Sequence, residues 1–137
     1  MIVLSSHDMF RILLLVCMIL IVHSQDAFLH KLRVELEQSK TAEKDPIIPF
    51  LCKMLPSQEF IKEADDEDFL SSILYELGFG VLGIRPNSWA IKFRDDPNKP
   101  ASCFSALHST ATSDVTRSTL ASSRRIIARC CNAKKDL

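Results

Sequence analysis

The sequence predicts a mainly α protein (α+β minor): a small disulfide-stabilised helical domain with one short β-hairpin. Three observations carry that expectation. Apolar residues recur at helical spacing in two stretches, an even set of cysteines remains once an apolar leader is set aside, and the three glycines cluster beside strand-like residues.

The leader is Met1 to Ser24. Its centre is the apolar run Ile12-Leu-Leu-Leu-Val-Cys-Met-Ile-Leu-Ile-Val22, which follows Arg11 and gives way to polar residues at Gln25-Asp26. A cationic start, a short greasy centre, and Val22 and Ser24 at −3 and −1 of a cut are the pattern of a secretory signal peptide. A bilayer-spanning helix needs roughly 20 apolar residues, and extending this run backwards meets Arg11, Asp8, His7, Ser6 and Ser5. An uncleaved anchor is the competing reading. No later stretch is apolar enough to span, so no membrane span is expected after cleavage.

A cut after Ser24 leaves residues 25–137, 113 residues, which suits one domain. Charge is balanced overall but not along the chain: residues 25–80 sum to −6 and residues 81–137 to +6. Halves of opposite sign are expected to pack and partly neutralise each other. The division expected is a helical core over residues 25–100, with a hairpin near 81–94, then a Ser/Thr-rich segment and basic C-terminal helix over 101–137.

Cys17 departs with the leader, leaving Cys52, Cys103, Cys130 and Cys131. Four cysteines in an exported chain imply disulfides. A bridge between the adjacent Cys130 and Cys131 strains the preferred geometry, so each of the pair is expected to reach one of Cys52 and Cys103, in either order. Zinc is the rival reading, since His108 lies five residues after Cys103; zinc sites use paired, tightly spaced ligands and exported thiols tend to oxidise, so no metal or cofactor is expected.

Gln25 to Lys44 predicts a helix with Phe28, Leu29, Leu32 and Leu36 on one side, stopped by Asp45-Pro46. Pro46-Ile-Ile-Pro49 predicts extended chain, and Phe50 to Leu55 a short helix with Pro49 at its first position. Ser57 is a candidate N-cap for a turn carrying Phe60, Ile61 and Ala64. Asp65-Asp-Glu-Asp68 lacks the alternate spacing and glycine of a calcium loop; it precedes Phe69, Leu70, Ile73, Leu74 and Leu77, where carboxylates favour a helix N-terminus. Gly78 is placed to end that helix.

Gly78-Phe-Gly80-Val-Leu-Gly83 formally spells a dinucleotide fingerprint. The order of elements is reversed, however, with a helix before the glycines and strand-like residues after. Val81 to Ile84 and Trp89 to Phe93 predict the two strands of the hairpin, joined by a turn at Arg85-Pro86-Asn87-Ser88. Trp89, the single tryptophan, is expected in the core and is also the candidate partner-binding residue. Asp95-Asp-Pro-Asn-Lys-Pro100 is turn chemistry. From Ser102 to Ser123, 11 of 22 residues are Ser or Thr, which suits an O-glycosylated linker or, preferably, a helix capped by Asp114 and running to Cys131. That helix would carry Val115, Leu120, Ile127 and Cys131 inward and Arg117, Arg124, Arg125 and Arg129 outward.

Catalytic signals are missing. His30 and His108 are the two histidines after the leader, and no G-x-S-x-G or H-E-x-x-H frame surrounds either. The basic half lacks the interleaved aromatics of a nucleic-acid surface. Arg124-Arg125 is a candidate processing site. The tail Arg125-Ile-Ile-Ala-Arg-Cys-Cys131 resembles the start of an insulin or relaxin A chain, but the later cysteines of such a chain are missing and Cys52-Lys-Met lacks the Cys-Gly of a B chain. Lys134-Lys-Asp-Leu137 is similar to an ER-retrieval ending without its Glu. The expectation is a secreted, extracellular protein that binds an extracellular protein or receptor, cytokine-, hormone- or effector-like, and is not an enzyme. The alternative is a prohormone-like peptide precursor cut at Arg124-Arg125.

Overall fold

The computed structural model describes residues 3–57, 67–112 and 119–132. Its first element, α1 (Ser6–Ser39), runs without a break from the leader into the domain. The two ends of this helix behave differently. Met9, Phe10, Leu13, Leu15, Met18, Ile19 and Leu20 are all more than half exposed, whereas Phe28 and Leu32 are buried and Leu29 and Leu36 pack beside them. The helix stops at Ser39, five residues short of the expected Lys44. Leu36 is the last residue of the apolar stripe, so the chain beyond it has nothing to bury, and Ser39 donates its hydroxyl back to the Leu36 carbonyl.

α2 (Ile47–Met54) replaces the extended segment expected at Pro46–Pro49. Both prolines sit where a helix needs no N–H: Pro46 at the N-cap and Pro49 in the first turn. Ile47, Ile48 and Leu51 are buried, and this burial holds Ile48 helical despite the proline after it. A short 3₁₀ turn, Leu55–Ser57, follows. The expected turn with Phe60, Ile61 and Ala64, like Asp65 and Asp66, lies outside the described residues.

α3 (Glu67–Leu77) has the expected stripe, with Phe69, Leu70, Ile73, Leu74 and Leu77 buried. Gly78 ends it at φ +109° and donates to the carbonyls of Leu74 and Tyr75. A side chain there would fail twice, because an added Cβ would overlap Ser88. The hairpin is β1 (Phe79–Gly80) against β2 (Gly83–Ile84), antiparallel, with Phe79 opposite Ile84 and Val81-Leu82 at its tip.

Trp89 to Phe93 is not a strand. Trp89–Asp95 forms a helix, α4. The alternation of Trp89, Ile91 and Phe93 masked a helical face of Trp89, Ala90 and Phe93, which are the buried residues. The expected turn does form: Asn87 takes φ +59° after Pro86, and Ser88 donates to the Arg85 carbonyl.

The described parts of the Ser/Thr-rich segment are helical, as α5 (Ala101–Thr112) and α6 (Thr119–Cys131). Thr110 and Thr112 donate their hydroxyls to the carbonyls of Ala106 and His108 one turn back, so these side chains do not compete with the helix. On α6 the buried face is centred on Ile126 and Cys130, with Ile127 and Cys131 at its edge and Arg124, Arg125 and Arg129 exposed. Asp114, Val115 and Arg117 lie outside the described residues, and so does the 134–137 ending.

The core is one cluster shared by the six described helices and the hairpin. Phe28 meets Phe50 and Phe69 at ring separations of 5.7 and 5.4 Å, and Trp89 stacks on Phe93 at 4.7 Å. The acidic and basic halves therefore pack together, but not through ion pairs. Among the described residues the three salt bridges join Arg33–Glu76, Lys40–Glu37 and Arg94–Asp95, each within one half.

One polar link between the halves is Asp45. Its carboxylate accepts the Trp89 indole N–H at 2.9 and 3.0 Å and the Ile47 amide at 3.0 Å, capping α2 while holding α4. Asp45→Ala is expected to lower unfolding free energy by about 1–3 kcal/mol in urea titration, since the indole N–H loses its partner. Ser123 is the converse case. Its hydroxyl is buried and finds no partner among the described residues, so Ser123→Ala is expected to raise stability by about 1 kcal/mol in the same assay.

Candidate functional site

The bridges are Cys52–Cys131 and Cys103–Cys130, one of the two arrangements left open by the sequence. Cys103 and Cys130 are fully inside the core, while Cys52 and Cys131 lie at its margin. By the chain-entropy relation, loops closed at separations of 27 and 79 residues stabilise by roughly 3.5 and 4.5 kcal/mol when taken singly. Cys17 is free and exposed on the leader half of α1.

The other residues singled out by sequence are dispersed. Trp89 is only 8% exposed; its ring is used by Phe93 and its N–H by Asp45, which makes it an internal strut between α4 and α2. Arg124 and Arg125 are exposed on α6, with Ile126 buried directly after them. His30 is exposed on α1, and His108 is half-buried against Phe104 at 5.7 Å. Among the described residues no three His, Cys, Asp or Glu side chains group as metal ligands would.

The surface that stands out is elsewhere. Beyond the leader, the described large apolar residues left exposed are Val34, Tyr75, Val81 and Leu82. The last two are the hairpin tip, and Leu82 is fully exposed. Beside the tip, α1, α3 and β1 enclose a cleft of about 500 Å³ whose walls include Leu29, Arg33, Tyr75, Glu76 and Val81.

Rigid elements position this surface. Arg85 runs back along the end of α3, donating its amide to the Gly78 carbonyl and its guanidinium to the Tyr75 carbonyl at 2.7 Å. The same guanidinium lies 4.3 Å from the centre of the Tyr75 ring, so one side chain caps α3 and fixes the tyrosine. Arg33 reaches from α1 to Glu76 at 2.8 and 3.0 Å. The hydrogen bond that Arg33 donates to Glu76, and the charge of that carboxylate, raise the Arg33 pKa, so the guanidinium stays charged throughout the neutral range. The contribution of a raised arginine pKa is lost only in strong alkali, and salt weakens the exposed pair. A second cleft, of about 390 Å³, lies on the far side of the same pair and is lined by Lys40, Arg85 and Lys92 among others.

Sequence reasoning passed over Tyr75, Val81 and Leu82. Val81 and Leu82 were read as strand because they are β-formers. The signal that could have found them is their enclosure by Gly80 and Gly83, since two glycines around two residues mark a tight turn. Arg33 and Glu76 are 43 residues apart, and no local pattern joins them. No protein-family model, curated protein or solved structure matches this chain.

Cys103→Ala/Cys130→Ala is expected to lower unfolding free energy by about 3 kcal/mol or more, because it combines loop opening with a loss of buried volume. Urea unfolding of the variant, with the Cys52–Cys131 bridge confirmed by peptide mapping, measures this.

Proposed function

We propose that residues 25–137 are a secreted protein that acts by binding an extracellular protein, with the Tyr75–Val81–Leu82 surface as its contact, and that it is not an enzyme. The observation that carries this reading is Leu82, a leucine held fully in solvent at the tip of a braced hairpin. Exposed apolar residues on a rigid support suit recognition, because little entropy is lost when they are covered. The flanking cleft would take an apolar side chain of the partner, and Lys40, Arg85 and Lys92 in the second cleft would favour its carboxylates.

Support for export comes from two features. The two disulfides suit an oxidising compartment. The apolar half of α1 is 6% buried over its most apolar 18 residues, so the domain does not use it as core. By length and composition the same helix is also able to cross a membrane, which is the anchor reading. N-terminal mapping of the product from secretory cells separates the two. Export predicts a soluble chain beginning at Gln25 and unfolding at the same temperature as the full chain within about 2 °C. Retention of Met1–Ser24 in a carbonate-resistant membrane fraction would establish the anchor.

For binding, labelled protein is expected to attach saturably to responsive cells. Leu82→Asp and Tyr75→Ala should each weaken attachment about tenfold or more while leaving stability within about 0.5 kcal/mol. Attachment unaffected by both variants would remove this surface from consideration.

A second reading, the precursor cut at Arg124-Arg125, draws on the exposure of both arginines on α6. Any segment 126–137 so formed stays tethered through Cys130 and Cys131. The product would therefore show two chains only after reduction, and a single reduced chain ending at Leu137 would exclude it.

A further inference from the structure

α5 and α6 leave between them an open cleft of about 380 Å³. Ser102, Ser105 and Ser109 line it from α5, and Arg125 and Arg129 from α6. Both sets follow from helical spacing. Serines at steps of three and four share one face of α5, and arginines four apart stand about 6 Å from each other along α6.

Among the described residues no carboxylate lines this cleft. Among the described residues neither arginine forms an ion pair. Arg125 and Arg129 are both exposed, so their charge is presented to solvent and not consumed internally. The site belongs to the +6 half of the chain, with Arg124 also exposed beside it.

We propose that this cleft binds sulfate esters carried by an extracellular polysaccharide. A guanidinium offers paired N–H donors in a fixed plane, which suits two oxygens of a tetrahedral oxyanion. The Ser102 and Ser105 hydroxyls rotate to donate to the remaining oxygens, while the Ser109 hydroxyl donates to the Ala106 carbonyl at 3.4 Å. The cleft is open along its length, so it suits anionic groups strung on a chain better than an enclosed small molecule. The inference rests on the secreted reading, because sulfated polysaccharide is met outside the cell. It is independent of the hairpin-tip surface, which is built from α1, α3 and β1.

The test uses the oxidised, secreted product on immobilised heparin in about 0.15 M NaCl. Arg125→Gln/Arg129→Gln is compared with Lys53→Gln/Arg94→Gln, which removes the same charge at exposed positions elsewhere. The first variant should lose about tenfold in affinity and flatten the dependence of log Kd on log salt by roughly one to two, as counterion release at two contacts requires. The control should retain wild-type behaviour, and desulfated heparin should not bind. Equal losses in both variants would reduce the effect to net charge and overturn the site. Equal binding of wild type and the Arg125/Arg129 variant would overturn it too, and so would capture by phosphatidylserine vesicles without capture by heparin. Circular dichroism and non-reduced mass confirm that each variant is folded and bridged. Export is read separately from leader removal in the same preparation, so failure on heparin with a processed, oxidised chain counts against the cleft alone.

Discussion

Two consecutive half-cystines set the position of α6, and much of the domain follows from them. Neighbouring residues on a helix point about 100° apart, so Cys130 faces Cys103 on α5 while Cys131 faces Cys52 on α2. Exchanging the partners would require α6 to turn by about that angle, and Ile126 would leave the core as it turned. Disulfide pairing and the rotational setting of α6 are thus a single constraint. The same setting keeps Arg124, Arg125 and Arg129 in solvent, which is why this helix is covalently buried through Cys130 and Cys131 yet presents three arginines.

Asp45 works on the other side of the molecule with a similar economy. It lies in the connection after α1, where the chain has run out of apolar residues, and converts that loop into a junction by holding the α2 terminus and the Trp89 indole. The acidic and basic halves meet at this junction and through apolar contacts. Opposite net charge brings them no closer than the core already does, since the ion pairs of the described residues stay within their own halves. Charge at this scale is a property of the surface and its partners more than of the fold.

Much of this was legible in the sequence where one physical signal dominated. The stripe from Phe69 to Leu77 with Gly78 behind it could hardly be another element, and the stripe of Phe28, Leu32 and Leu36 was equally plain. Errors arose where two periodicities shared the same residues. Trp89 to Phe93 fits both alternation and a helical face, and tertiary packing chose the face that buries Ala90. At Pro46–Pro49 the local bias against helix lost to burial of Ile47 and Ile48. The candidate surface was the least legible part. Its salt bridge and its cleft are made by residues distant in sequence, and the exposure of Leu82 depends on a turn two residues long.

The bridges also divide the molecule topologically. Everything from Cys52 to Cys131 belongs to one covalent ring, and Cys103–Cys130 closes a smaller ring inside it. The helix α1 hangs outside both. Among the described residues Phe28, Leu29, Leu32, Leu36 and the Arg33–Glu76 contact hold it in place, and neither bridge ties it to the frame. Its departure would uncover Phe69 and remove one wall of the cleft beside the hairpin. The molecule therefore carries an untethered lath on a locked frame, and the seam between them runs past its candidate contact surface.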